Sequence, residues 1–169
     1  TVVERQRTFE FGNDHEFAAA LVSHLETELR GLNYDDATGI FRLILALKEA
    51  LANAIDHGNL VLDAKPRDLW DGGYYHLAQQ PRRQPPYRDR RVRLTSRISP
   101  GEVSYSIRDE GPGFDPSTIP DPRDPENLLR SHGRGMVLIQ NFMDEVFHNA
   151  AGNEITLIKR RAPVESITL

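Results

Sequence analysis

An α+β fold is what this sequence predicts: a two-layer sandwich with helices on one face of a mixed, mostly antiparallel sheet. Three observations carry that prediction. Strand-like and helix-like stretches follow the order β-α-α-β-β-loop-α-β-β, which groups helices against an antiparallel sheet. Ser99-Pro100-Gly101 joins two strand-like runs as a hairpin turn. The long helical stretch before residue 58 has one apolar side, which must face the sheet or another helix.

Residues 5–11 alternate in polarity and read as a strand. Asn13, with Glu16 three positions later, forms a capping-box pattern for a first helix running to about Leu32. Phe17, Leu21, Leu25 and Leu29 give that helix an apolar stripe. A second helix is expected from about Asp35 to His57-Gly58, with glycine suited to its C-terminal cap. Residues 63–89 contain Trp70, Gly72-Gly73 and Pro85-Pro86, and this proline and glycine density argues against regular structure. Strands are expected at 91–98 and 102–108, a long Pro- and Asp-rich loop at 112–132, and a helix over 135–143. Two closing strands, 145–149 and 154–159, flank Ala151-Gly152-Asn153.

The 169 residues suit one domain spanning 1–169. A chain of this size buries roughly 70% of its unfolded surface. Twenty-one basic and twenty-five acidic residues leave a net charge of −4, which provides no general attraction to nucleic acid or anionic membrane. The chain has no cysteine, which excludes disulfides, thiolate catalysis and Cys-ligated metal. No apolar run approaches the ~20 residues of a membrane span, and the first residues lack the apolar centre of a signal peptide. A cytoplasmic protein is the expectation.

On the second helix, Ile44, Leu47, Leu51, Ala54 and Ile55 fall on one side at about 100° per residue. Glu49, Asn53 and Asp56 fall in a narrow arc on the other, with His57 at its edge. Acidic residues on a helix are most often simply hydrated. The asparagine shifts the balance, because Asn is a poor helix former that competes with its own backbone. Its amide oxygen suits Mg²⁺, which takes hard oxygen ligands together with phosphate and water. A Glu one turn earlier is placed to polarise a water or a hydroxyl.

Two further stretches complete the pattern. Asp109-Glu110-Gly111-Pro112-Gly113 stands at the end of a strand, where an acidic side chain can accept from an amino group such as that of adenine. Its glycines permit a flat ring to come close. Gly133-Arg134-Gly135 precedes a helix start, whose free N–H groups bind phosphate. Each motif alone is short enough to arise by chance.

In combination and order, these stretches resemble the ATP-binding superfamily of histidine kinases, DNA gyrase and the large heat-shock chaperones. Within it, the chain resembles the anti-sigma-factor serine/threonine kinases. The matching residues are Lys48-Glu49-Ala50 through Asn53 to His57-Gly58-Asn59, and Arg108-Asp109-Glu110-Gly111-Pro112-Gly113-Phe114-Asp115-Pro116. Asn127-Leu128-Leu129 through Gly133-Arg134-Gly135 to Met143-Asp144-Glu145-Val146 completes the match.

The resemblance implies a Bergerat-type ATP-binding fold with ATP and Mg²⁺ as cofactors. It implies Glu49 as general base, Asn53 as magnesium ligand and Asp109 as reader of the adenine amino group, with Gly111 and Gly113 shaping the pocket. Asp56, His57, Phe114, Gly133, Arg134, Gly135 and Met136 join them as nucleotide-binding residues, and 114–132 forms a lid over the phosphates. His57 has an equally weighted structural reading as a cation at a helix C-terminus. The implied partners are a STAS-type anti-sigma-factor antagonist as substrate, a sigma factor, and a second copy in a homodimer.

Two departures stand out. Ser131 lies where many histidine kinases have glycine, and 63–89 reads as an insertion that either binds a partner or packs on the sheet edge. Arg82, Arg83, Arg88, Arg90, Arg91 and Arg93 are read as a solvated basic cluster rather than a nucleic-acid site. Two other functions stay open: an ATP-binding module that sequesters a partner without turnover, and the catalytic domain of a histidine kinase. His15 superficially resembles a phospho-acceptor for the latter, but is expected to be a surface residue at a helix start.

Overall fold

The computed structural model describes residues 3–62, 83–119, 121, 124–128 and 134–161. Five strands form one sheet: β1 (Arg5–Phe11), β2 (Val92–Ile98), β3 (Glu102–Arg108), β4 (Glu145–His148) and β5 (Glu154–Arg160). Their order is β1-β2-β3-β5-β4, and every pairing is antiparallel, so the expected mixed character is absent among the described residues. The helices are α1 (His15–Gly31), α2 (Ala37–Asn53), a short α3 (Pro125–Leu128) and α4 (Arg134–Phe142).

One face of the sheet is covered and the other is open. Val22, Leu25 and Leu29 of α1, Leu43, Leu47 and Leu51 of α2 and Ile139 of α4 are buried with Leu94, Tyr105, Ile107 and Leu157 of the strands. Each such side chain contributes roughly 1.5–3 kcal/mol by leaving water. On the open face, Thr8, Thr95, Ser106 and Thr156 align in register across four strands. Their hydroxyls bond pairwise, Thr8 to Thr95 at 3.2 Å and Ser106 to Thr156 at 2.9 Å. This alternation of apolar and polar faces is the reason the strands read so clearly.

Three local expectations are corrected. The α1 cap is Asp14, whose carboxylate accepts from the N–H groups of Glu16 and Phe17; Asn13 is engaged elsewhere. Phe17 is 46% exposed and packs beside Phe11, while Ala18 and Val22 join the buried stripe. The second helix does not end at Gly58. It loosens into a π turn over Ala54–Asn59, closed by the Leu60 N–H donating to the Ile55 carbonyl at 2.9 Å. Val61 follows in the left-handed region at φ 52, an unusual place for a β-branched residue.

Most of the expected insertion (63–82) and parts of the expected lid (120, 122–123 and 129–133) lie outside the described residues. The remainder of the lid contains a 3-10 turn, Pro116–Thr118, and α3.

Candidate nucleotide site

The site is built where the end of α2, its π turn, the end of β3 and the start of α4 meet. Asp109 follows β3, the central strand, and is 9% exposed. Its backbone N–H donates to the Asn153 carbonyl at 2.9 Å, and its Oδ1 accepts from the Gly111 N–H at 2.8 Å. The carboxylate lies against Gly58, where a Cβ would overlap it. A Cβ on Gly111 would in turn overlap the Gly58 carbonyl. Gly58 and Gly111 therefore press the first and second motifs together around one acidic side chain. Burial pushes that carboxyl up to about 6, against the pull of the Gly111 N–H and the Arg90 guanidinium.

Gly113 has φ +73, and a Cβ there would strike the Ala151 carbonyl; Gly152, at φ +70, meets Phe114 in the same way. These glycines allow the turn after Asp109 to lie flat on the β4–β5 turn. Phe114, expected to bind nucleotide, sets its ring edge-on to His148 at 5.2 Å. Burial lowers the pKa of that histidine.

Glu49 and Asn53 sit one turn apart on α2, both half-buried. Neither side chain has a hydrogen-bond partner among the described residues. The Glu49 carboxylate lies against Gly135, and a Cβ there would overlap Oε1. This places an acidic side chain on the first turn of α4, where the helix dipole favours negative charge. Met136, the next residue, packs against the core and is only partly buried. Gly133 and the side chain of Arg134 lie outside the described residues.

Asp56 and His57 lie in the π turn over Ala54–Asn59, which advances by less than 100° per residue. Asp56 is 5% exposed, and its Oδ1 accepts from His15 Nε2 at 2.8 Å. His15 is therefore a partner of the π turn as well as a residue at a helix start. His57 is exposed, and its Nδ1 donates to the Leu62 carbonyl at 2.8 Å, fastening the residues around Val61.

Sequence reading missed Asn59 and Asn153. Asn59 is fully buried, and its Oδ1 accepts from the Glu110 N–H at 2.8 Å. Asn153 Nδ2 reaches the Asp109 carbonyl at 3.3 Å. The only signal for Asn59 was its place directly after His57-Gly58.

A family model for the histidine kinase-like ATPase domain matches residues 74–159. Fold and family together define an ATP-binding domain of kinase-like type. The chain belongs to the histidine kinase-like ATPase domain family. A solved structure of the RsbU and RsbW domains of Rv1364c from Mycobacterium tuberculosis aligns with a TM-score of 0.54 at 14% identity. The alignment covers 97% of this chain and 35% of that one, so this chain spans about a third of its length, and the likeness shows the fold alone. No curated protein matches the chain. No helix among the described residues is long and apolar enough to cross a membrane.

Proposed function

We propose that the chain is an ATP-dependent protein serine/threonine kinase of anti-sigma-factor type. The observation that carries the nucleotide part is Asp109, a buried carboxylate in a cradle that a Cβ on Gly58 or Gly111 would fill. A buried acceptor needs a donor, and an exocyclic amino group of adenine supplies one. Gly135 leaves room for the Glu49 carboxylate at the start of α4, on the side of α2 that also carries Asn53.

In this reading Glu49 takes the proton from a serine or threonine hydroxyl. That oxygen bonds to the γ-phosphorus as the bond to the β-phosphate oxygen breaks, leaving ADP. The step needs positioning and charge stabilisation more than covalent help from the protein. No group of three His, Cys, Asp or Glu among the described residues could hold a metal alone. The donor set instead fits Mg²⁺ bound jointly by the Asn53 amide oxygen, phosphate and water. Bound magnesium supplies neutralising charge on the phosphates. The N–H groups at the start of α4 face the same anions, with Gly133 and Arg134 assigned there by the family resemblance.

The substrate in this proposal is a STAS-type antagonist, and the unphosphorylated antagonist competes with a sigma factor for the kinase in the cytoplasm. The test has two arms. Calorimetric titration with ATP should show binding that Asp109→Asn weakens sharply; no binding by the intact protein would sink the nucleotide reading. Phosphoryl transfer to a co-encoded antagonist should disappear in Glu49→Gln while nucleotide binding persists. Transfer absent from the intact protein, with ATP still bound, favours the sequestering module.

A further inference from the structure

Asn59 is the most deeply buried polar residue among those described, at 0% exposure. It belongs to a hydrogen-bond chain whose direction is fixed at both ends. The Glu110 N–H can only donate, so the atom it meets is Asn59 Oδ1, at 2.8 Å. Asn59 Nδ2 must then donate, and it meets Asn13 Oδ1 at 2.8 Å. Asn13 Nδ2 is left to donate to the Tyr87 carbonyl at 2.9 Å, and a carbonyl can only accept. Neither amide can be flipped without placing two donors or two acceptors face to face. The Asn59 carbonyl is held as well, by Arg90 Nη1 at 2.7 Å.

The chain ends on the peptide that joins Asp109 to Glu110. Asn153 Nδ2 donates to the carbonyl of that same peptide, and the Asn153 carbonyl accepts from the Asp109 N–H. The carboxylate that reads the base is thus aimed by a backbone gripped from two directions. We propose that Asn59 and Asn13 are positioning residues for base recognition: Asn59 fixes the Asp109–Glu110 peptide, and Asn13 fixes the amide of Asn59. The inference rests on the reading of Asp109 as the adenine contact and adds what makes that contact selective.

The test compares ATP with purine riboside triphosphate, which is ATP without its 6-amino group. The affinity ratio of the two isolates one charge-assisted hydrogen bond, so roughly 10–100-fold is expected in the intact protein. In Asn59→Ala and Asn13→Ala the ratio should fall to within about threefold, because a carboxylate free to shift no longer meets the amino group squarely. A merely structural role weakens both nucleotides equally and leaves the ratio unchanged. That result in folded Asn13→Ala overturns the inference. Asn13 is only half-buried, so its variant serves even where Asn59→Ala fails to fold. A ratio near one in the intact protein, or one that Asp109→Asn leaves unchanged, overturns the adenine reading itself.

Discussion

Replacing Asp109 with asparagine should stabilise the ligand-free protein while removing its nucleotide. Burial raises this carboxyl from its ordinary 3.8 to about 6. The folded state therefore holds the proton more tightly than the unfolded chain. Stability from this group is greatest below about pH 4, falls as pH rises to about 6, and is level above that. The penalty at neutral pH is about 3 kcal/mol, from some two pH units at about 1.4 kcal/mol each. Asparagine has nearly the same shape and keeps an oxygen for the Gly111 N–H, but it does not titrate. The stability difference between variant and parent should therefore grow by about 2 kcal/mol from about pH 4.5 to about pH 7.5. Urea unfolding of both proteins across that range measures it, and all other titrating groups cancel in the difference. A difference that stays flat would refute the argument that Asp109 is held in a desolvated cradle. Adenosine, which carries no phosphate to titrate, offers the reciprocal check. Its affinity should weaken about tenfold per unit as pH falls below about 6, because the protonated acid loses an acceptor.

Two glycines predict opposite outcomes. Gly111→Ala drives a Cβ into the Gly58 carbonyl, which is backbone and cannot step aside, and should cost about 3 kcal/mol in thermal unfolding along with nucleotide binding. Gly135→Ala meets only the flexible side chain of Glu49, from Oε1 back to Cγ, so stability should hold within about 1 kcal/mol. The displaced carboxylate should slow phosphoryl transfer roughly 10²-fold, read in a single-turnover assay. His15→Ala removes a donor from the buried Asp56 and should cost about 1–2 kcal/mol in urea unfolding. No change there would show that the π turn does not depend on the pair.

The strands and main helices were legible because one-sided burial imposes a period, and Leu21, Leu25, Leu29, Leu94 and Ile107 obey it. Asp109 was legible because a strand end, an acid and a glycine coincide. The rest depended on contacts between distant parts of the chain. Asn13 and Asp14 are both good caps, and only the pull of Asn59 and Tyr87 decides which one caps the helix. Asp56 was assigned to the site face on a 3.6-residue period that the π turn interrupts. Gly58 was read as a helix cap, and Gly111 and Gly113 as permissive for a flat ring. Their first constraint is that other parts of the chain, the Asp109 carboxylate among them, occupy the space a side chain would need.

The sheet order also bears on how the molecule assembles. β1 lies on β2 although Thr8 and Thr95 are 87 residues apart in the chain. Contacts of such long sequence separation form late and slow folding relative to the local α1–α2 pair. The entropic cost of closing that span in the unfolded chain rises only with the logarithm of its length, about 0.6 kcal/mol per doubling. The stretch 63–82 lies within that span and enlarges it by about a third, which adds only a few tenths of a kcal/mol. Length between the first motif and β2 is thus nearly free to change, while the β1–β2 pairing waits for the whole span to close.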